Sequence, residues 1–145
     1  MGDVFDRWAE VCVFCKIVNN EVKALKVYES EDVLAFLDAN PVSLGHTLII
    51  PKKHYVCIFD IPDEILKEII SVSKMLAEKY REKLNITGVN ILHASGKDAQ
   101  QSVPHFHIHL VPRYPDDGLD LWIHKYPRRK VRLEEVAEKI MREET

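Results

Sequence analysis

The chain reads as an α+β domain carrying a mostly antiparallel sheet, on three observations. Short apolar, β-branched runs succeed one another with turn signals between them, as in a meander. One long amphipathic stretch interrupts them with helical periodicity. The regular alternation of strand and helix that builds parallel sheets is missing. At 145 residues the length fits one domain, 1–145, large enough to bury a core without disulfide support.

Met1 to Val13 mixes charge with Val4, Phe5, Trp8 and Val11, spacings that suit a short amphipathic helix or a packed arm leading into Cys12. Lys26 to Glu29 reads as a strand, Ser30-Glu31-Asp32 as a turn and Val33 to Leu37 as a second strand, a hairpin ending at Asp38. Asn40-Pro41 and Leu44-Gly45 punctuate a loop, after which His46 to Ile50 is an apolar strand stopped by Pro51. Pro62 opens the long helix, with Asp63 and Glu64 in the first turn, where carboxylates suit the positive end of the helix dipole. Ile65, Ile69, Val72, Leu76 and Tyr80 trace its apolar stripe to about Leu84, so one face packs on the sheet. Asn85 to Gly88 ends it. Val89 to Leu92 is another strand, Ala94 to Gln101 a polar loop, Val103 to Arg113 a strand, and Tyr114 to Gly118 a turn-rich loop. Leu133 to Glu143 is a closing helix by the spacing of Val136 and Ile140.

The net charge of -3 argues against electrostatic capture of nucleic acid, which calls for a basic excess. No apolar run approaches the ~20 residues that span a bilayer, and the first ten residues lack a basic segment followed by an apolar one, so a cytoplasmic protein without membrane partners is expected. Three cysteines, two of them as Cys12-x-x-Cys15, suit metal or redox chemistry in a reducing compartment better than a disulfide framework.

The chemistry concentrates in Val103 to Arg113, where His105, His107 and His109 occupy every second position with Phe106, Ile108 and Leu110 between them. In an extended strand these histidines share one face, an open one, while the apolar residues enter a core behind it. Two metal readings and one catalytic reading follow. The three imidazoles can hold a catalytic zinc with a water in the fourth position. Alternatively, Cys12 and Cys15 with two distant histidines, His54 and His105 being the candidates, complete a closed structural Cys2His2 site. In the catalytic reading a neutral imidazole attacks phosphorus and forms a covalent intermediate that water resolves, with its neighbours fixing its tautomer and stabilising charge. His107, with a ring on either side, is the natural nucleophile.

The stretch His105-Phe-His-Ile-His-Leu-Val111 resembles the signature of the histidine-triad (HIT) nucleotide hydrolases and transferases. So do Cys12-Val-Phe-Cys-Lys-Ile17, Phe36-Leu-Asp-Ala-Asn-Pro41, Gly45-His-Thr-Leu-Ile-Ile-Pro-Lys-Lys-His54 and Gln101-Ser-Val-Pro104, in the same order along the chain. The resemblance implies a HIT-like fold: a five-stranded antiparallel sheet with one long helix, ten-stranded across a homodimer. It implies cleavage of AMP or GMP from phosphoramidate, ester or anhydride adducts through a nucleotidyl-histidine. His107 is then the nucleophile, supported by His109, His46 and Ser102. Phe14, Ile17, Leu37, Asp38 and Ala39 contact the nucleoside, Asp38 through the ribose hydroxyls, and Gln101 and Ser102 meet the phosphate and leaving group. In members that open with Cys-x-x-Cys, the matching residues Cys12, Cys15, His54 and His105 hold a structural zinc, and no catalytic metal is expected.

The chain departs from the pattern where a phosphate-side asparagine is often found, the position of Ala94. The third triad position is His109 rather than the glutamine of the transferase branches, which favours hydrolysis. The rival readings are a dinucleoside polyphosphate hydrolase and a non-catalytic purine nucleotide sensor. The basic run from His124 to Arg132 is expected to be a solvated face.

Overall fold

In the computed structural model, which describes residues 10–143, the hairpin, the strand after it, the long helix and the strand that follows the helix fall where the sequence pattern puts them. The helix or arm expected over residues 1–9 lies outside the described residues. In chain order the elements are α1 (Val13–Val18), β1 (Lys26–Glu29), β2 (Val33–Leu37), β3 (Thr47–Pro51), α2 (Asp63–Leu84), β4 (Gly88–His93), β5 (Ile108–Arg113) and α3 (Leu133–Met141). The strands form one sheet in the order β1-β2-β3-β5-β4, each neighbouring pair antiparallel. This is the α+β architecture expected.

The central strands are buried on both faces, which is why Val33 to Leu37 and Thr47 to Pro51 read as nearly unbroken apolar runs. Val33, Ala35, Ile49, Ile108 and Leu110 pack against Ile69, Val72, Leu76 and Tyr80 of α2. On the opposite face Leu34, Phe36, Leu48 and Ile50 pack against Phe14 and Ile17 of α1. Helix α2 enters behind Pro62 and stops where Asn85 takes the left-handed conformation (φ 58°) that commonly ends a helix. The Tyr80 and Thr47 hydroxyls, 2.7 Å apart, tie it to β3.

Gly45 turns the chain into β3 with φ +91°, and a Cβ there would lie 2.9 Å from Leu84 Cδ1 and 3.2 Å from Pro112 Cγ. Only glycine meets both demands, and the turn delivers His46 to the sheet. At the same end of the sheet, Arg113 of β5 donates to both carboxylate oxygens of Asp117, to Asn90 Oδ1 on β4 and to the Leu119 carbonyl. That clamp fixes the loop after β5.

Two expectations need correction. The histidine stretch is not one continuous strand on an open face: β5 begins only at Ile108, the chain bends over residues 103–105, and His105 and His107 are 0% and 5% exposed. The ladder cannot continue past Ile108 because the Phe106 amide donates to the Tyr55 carbonyl instead, drawing the chain toward the loop that carries His54. The α3 helix forms but closes nothing among the described residues. Residues 122–143 are all exposed, and Leu133, Val136 and Ile140 remain on the surface. Among the described residues no helix is long and apolar enough to cross a membrane.

Candidate active site and metal centre

On the α1 side of the sheet two clusters of imidazoles lie next to each other. In the first, Cys12 caps the N-terminus of α1 and its sulfur accepts from the Cys15 amide, so a single helical turn brings both sulfurs to the same end of the helix. His54, from the loop after β3, and His105, from the bend before β5, complete the group. Cys12 Sγ lies 3.4 Å and Cys15 Sγ 3.6 Å from His105 Nδ1, Cys15 Sγ lies 3.2 Å from His54 Nδ1, and the two Nδ1 atoms are 3.1 Å apart. Tetrahedral zinc with ordinary bond lengths sets sulfur and nitrogen about 3.6 Å apart and two nitrogens about 3.3 Å apart. The observed spacings fit that polyhedron.

The protonation states fit it too. His105 Nε2 donates to the Pro51 carbonyl at 2.8 Å, so its Nδ1 carries a lone pair aimed at the other three donors. This is the carbonyl-oriented arrangement that metal-ligating histidines use. Burial, with the Cys12 sulfur adding to it, pushes the Cys15 thiol up to about 12, and burial holds His105 down near 4 and His54 below its usual range. Without an ion the Cys15 thiol therefore keeps its proton; two sulfurs and two imidazole nitrogens gathered within bonding distance of one point form a donor set that could hold a metal ion.

The second cluster contains His107, His109, His46 and Asp38. His107 Nδ1 donates to the carbonyl of His105, 2.8 Å away, which leaves Nε2 as the free lone pair. The Val42 amide donates to His46 Nδ1 at 3.1 Å, so His46 carries its proton on Nε2. That proton points to His109 Nδ1 at 3.0 Å, with an Asp38 oxygen 3.6 Å from the same nitrogen. His109 therefore carries its own proton on Nε2. One backbone amide thus sets two tautomers in series, and the neighbouring rings of His107 and His109, 5.1 Å apart, present a lone pair and an N–H respectively. Asp38, His46 and His109 lie close enough together to suggest a second metal site, but His46 fails as a ligand there because Val42 holds its proton on the inward nitrogen. Nor do the three triad rings converge as a metal set: His105 belongs to the cysteine cluster, and the Nδ1 atoms of His107 and His109 are engaged elsewhere.

Phe14 joins the two clusters, its ring standing edge-on to His105 (5.7 Å), His107 (5.2 Å) and Phe36 (5.6 Å). Ile17 is buried in the same layer, while Ala39 and Ser102 are exposed on loops. Leu37 lies elsewhere. Paired with Thr47, it faces α2 and lines an apolar cavity of about 400 Å³ with Leu76 and Tyr80, so strand parity puts its side chain on the far side of the sheet from Phe14. The Gln101 side-chain amide is committed already, accepting from the Gly96 amide and donating to the Val103 carbonyl and to the Val56 carbonyl in the loop after β3. It can reach a phosphate only by releasing those bonds. The residues that sequence reasoning missed are Phe36, which an alternating reading of β2 places beside Phe14, and the Val42 amide, which no side-chain pattern reveals.

Burial lowers the affinity of His46 for protons, and it holds His109 near 4 with help from the neighbouring His107 and His46 rings. The unfolded chain titrates these groups near 6.5, so between about pH 6.5 and 4 it binds protons that the folded chain refuses. Their contribution makes folding stability fall as pH drops through that window and leaves it flat above it. Denaturant unfolding at a series of pH values checks this: His109→Gln should show a shallower acid-side slope than the native chain, and an identical slope would contradict it.

Comparison with known proteins agrees with this geometry. Residues 19–116 match the HIT domain family. A HIT-like protein of Methanocaldococcus jannaschii is 48% identical over 108 residues, covering 74% of this chain and 83% of that one. Adenosine 5'-monophosphoramidase HNT1 of Saccharomyces cerevisiae is 41% identical over 102 residues, 70% of this chain and 62% of its own length. Among solved structures, a zinc-bound histidine triad family protein of Mycobacterium smegmatis superimposes with a TM-score of 0.75 at 40% identity, covering 88% of each chain.

Proposed function

The chain belongs to the HIT domain family, and from that premise we propose that it hydrolyses purine nucleotide adducts, releasing AMP or GMP from phosphoramidates and related esters or anhydrides. The observation that carries the reading is the fixed pair of tautomers: an unprotonated His107 Nε2 beside a His109 Nε2–H. That pair supports attack on phosphorus. His107 Nε2 forms the new bond to phosphorus while the bond to the leaving nitrogen or oxygen breaks, its electron pair departing with the leaving atom together with a proton from solvent. Water then attacks phosphorus and gives up a proton to solvent, replacing the one taken by the leaving group, while the bond to Nε2 breaks and returns its pair to the ring, and the nucleoside monophosphate leaves.

The other residues serve this sequence. Held near 4, His109 is neutral at physiological pH and acts as a hydrogen-bond donor to the phosphoryl oxygens, where charge grows in the transition state. Asp38, the partly buried residue just after β2, accepts from the ribose hydroxyls, while Phe14 and Ile17 wall the base and Ser102 meets the leaving group. Cys12, Cys15, His54 and His105 would hold a structural zinc, which would balance the charge of two thiolates, and these four side chains would then pin the chain where it bends into His107. The active species is a cytoplasmic homodimer; β4 is a sheet edge that exposes Val89 and Ile91, an arrangement suited to pairing with a second copy.

Adenosine 5'-phosphoramidate is the test substrate. Mixed with excess enzyme and quenched in alkaline denaturant, because a bond from phosphorus to imidazole hydrolyses in acid, it should yield AMP and a nucleotidyl adduct mapping to His107. Tight AMP binding with no adduct and no turnover refutes the hydrolase in favour of a sensor.

A further inference from the structure

We propose that His93, braced by Ser95, is a positioning residue for the His107 nucleophile, its side chain replacing the strand ladder at the point where β5 ends. The inference rests on the reading of His107 given above. His93 is the last residue of β4 and pairs with Ile108, the first of β5, and the β3 ladder also stops at Ile108. Neither neighbouring ladder reaches His107, a residue whose backbone has to be held if its ring is to keep one orientation.

The His93 imidazole supplies the missing partner. Its Nδ1 lies 2.9 Å from the His107 carbonyl, which can only accept, so the proton is on Nδ1 and Nε2 is an acceptor. Nε2 meets the Ser95 hydroxyl, and that oxygen in turn accepts from the Ile58 amide at 2.8 Å. Donors and acceptors are matched along the whole path, which ties His107 to the loop that follows His54. The ring also stacks on Phe106, with centroids 4.4 Å apart and planes at 29°, so its rotamer is fixed from a second direction. The His107 side chain reaches back to the His105 carbonyl, so its aim depends on the backbone between residues 105 and 107 keeping its path. His93 clamps the carbonyl at the downstream end of that segment. A histidine alone at the end of a strand usually serves structure only; here both nitrogens are engaged around the nucleophile.

His93→Val removes the donor and keeps a strand-compatible shape, whereas His93→Asn restores an N–H near the position of Nδ1. Single-turnover release of AMP from adenosine 5'-phosphoramidate should slow about tenfold in the valine variant, with AMP affinity and thermal midpoint near those of the native chain, and the asparagine variant should recover most of the rate. Imidazole 15N shifts of His107 report the same event without substrate: one tautomer, protonated on Nδ1, in the native and asparagine proteins, and a second population in the valine variant. The inference is overturned by a valine variant as fast as the native chain, by an asparagine variant no faster than valine, by a rate that falls only in step with the unfolded fraction, or by unchanged 15N shifts. His107→Asn run in parallel separates the two levels. Turnover in that variant sinks the nucleophile assignment, whereas a dead His107→Asn beside a fully active His93→Val sinks the positioning role alone.

Discussion

Replacing His107 with asparagine will abolish turnover of a nucleotide phosphoramidate and leave nucleotide binding within a few fold of the native value. Asparagine is the sharper choice over alanine because its amide N–H can still donate to the His105 carbonyl, as His107 Nδ1 does, while nothing remains at the position of Nε2. The fold loses little and the chemistry loses its nucleophile. Removing a covalent catalyst that works with positioned partners typically costs on the order of 10⁴-fold or more in kcat, about 5 kcal/mol or more of barrier. His109→Gln should behave differently. A glutamine amide can still present an N–H to phosphoryl oxygens, so the loss there is smaller, on the order of 10²-fold, the scale of removing one donor to a developing oxyanion. Rates for the two variants, read with AMP affinity by calorimetry, test the assignment. Comparable small losses in both would mean that neither ring attacks phosphorus, and retained turnover in His107→Asn would end the covalent mechanism.

The contrast between those two histidines was only partly legible in the sequence. Period-two spacing correctly placed Phe106, Ile108 and Leu110 in a core and His109 on the opposite face, because side-chain alternation is a property of the extended backbone itself. The same spacing misplaced His105 and His107 on an open strand. Where a ladder ends depends on partners far away in sequence, here the Tyr55 carbonyl that takes the Phe106 amide, and no local pattern records such a partner. The group of Cys12, Cys15, His54 and His105 was legible only as one of two open metal readings, because Cys-x-x-Cys marks two donors but not which distant histidines join them, and the family resemblance made the choice. Leu37 shows the opposite case. Its parity with Val33 and Ala35 was readable, but its place against the base came from the resemblance alone, and the structure puts its side chain on the α2 side of the sheet, away from Phe14. Tautomers were beyond reach altogether, since the Val42 amide that orders His46 and His109 is a backbone donor common to almost every residue type.

Stripping the metal, or replacing Cys15 with serine, will lower the thermal midpoint by about 10 °C or more while the protein that remains folded keeps a measurable rate. The magnitude follows from linkage: an ion present at about a thousandfold its dissociation constant stabilises the folded state by about 4 kcal/mol, and in a chain of this size each kcal/mol shifts the midpoint by about 3 °C. The donors make a large effect reasonable. Without the ion, Cys15 keeps its proton until about 12, and the His105 lone pair has only sulfurs and another imidazole to face in a pocket closed to solvent. Some catalytic loss follows as well, because His105 contributes its ring to this cluster and its carbonyl to His107 Nδ1, so a loosened ring perturbs the nucleophile's aim. That loss should be modest at temperatures well below the midpoint. A zinc held by the triad itself predicts the reverse, with activity vanishing on chelation at any temperature and returning with metal before stability does. Elemental analysis, thermal unfolding and rate measured on the same chelated sample distinguish the two. A midpoint unmoved by chelation of a zinc-containing sample would show that these four donors do not use the ion to hold the fold.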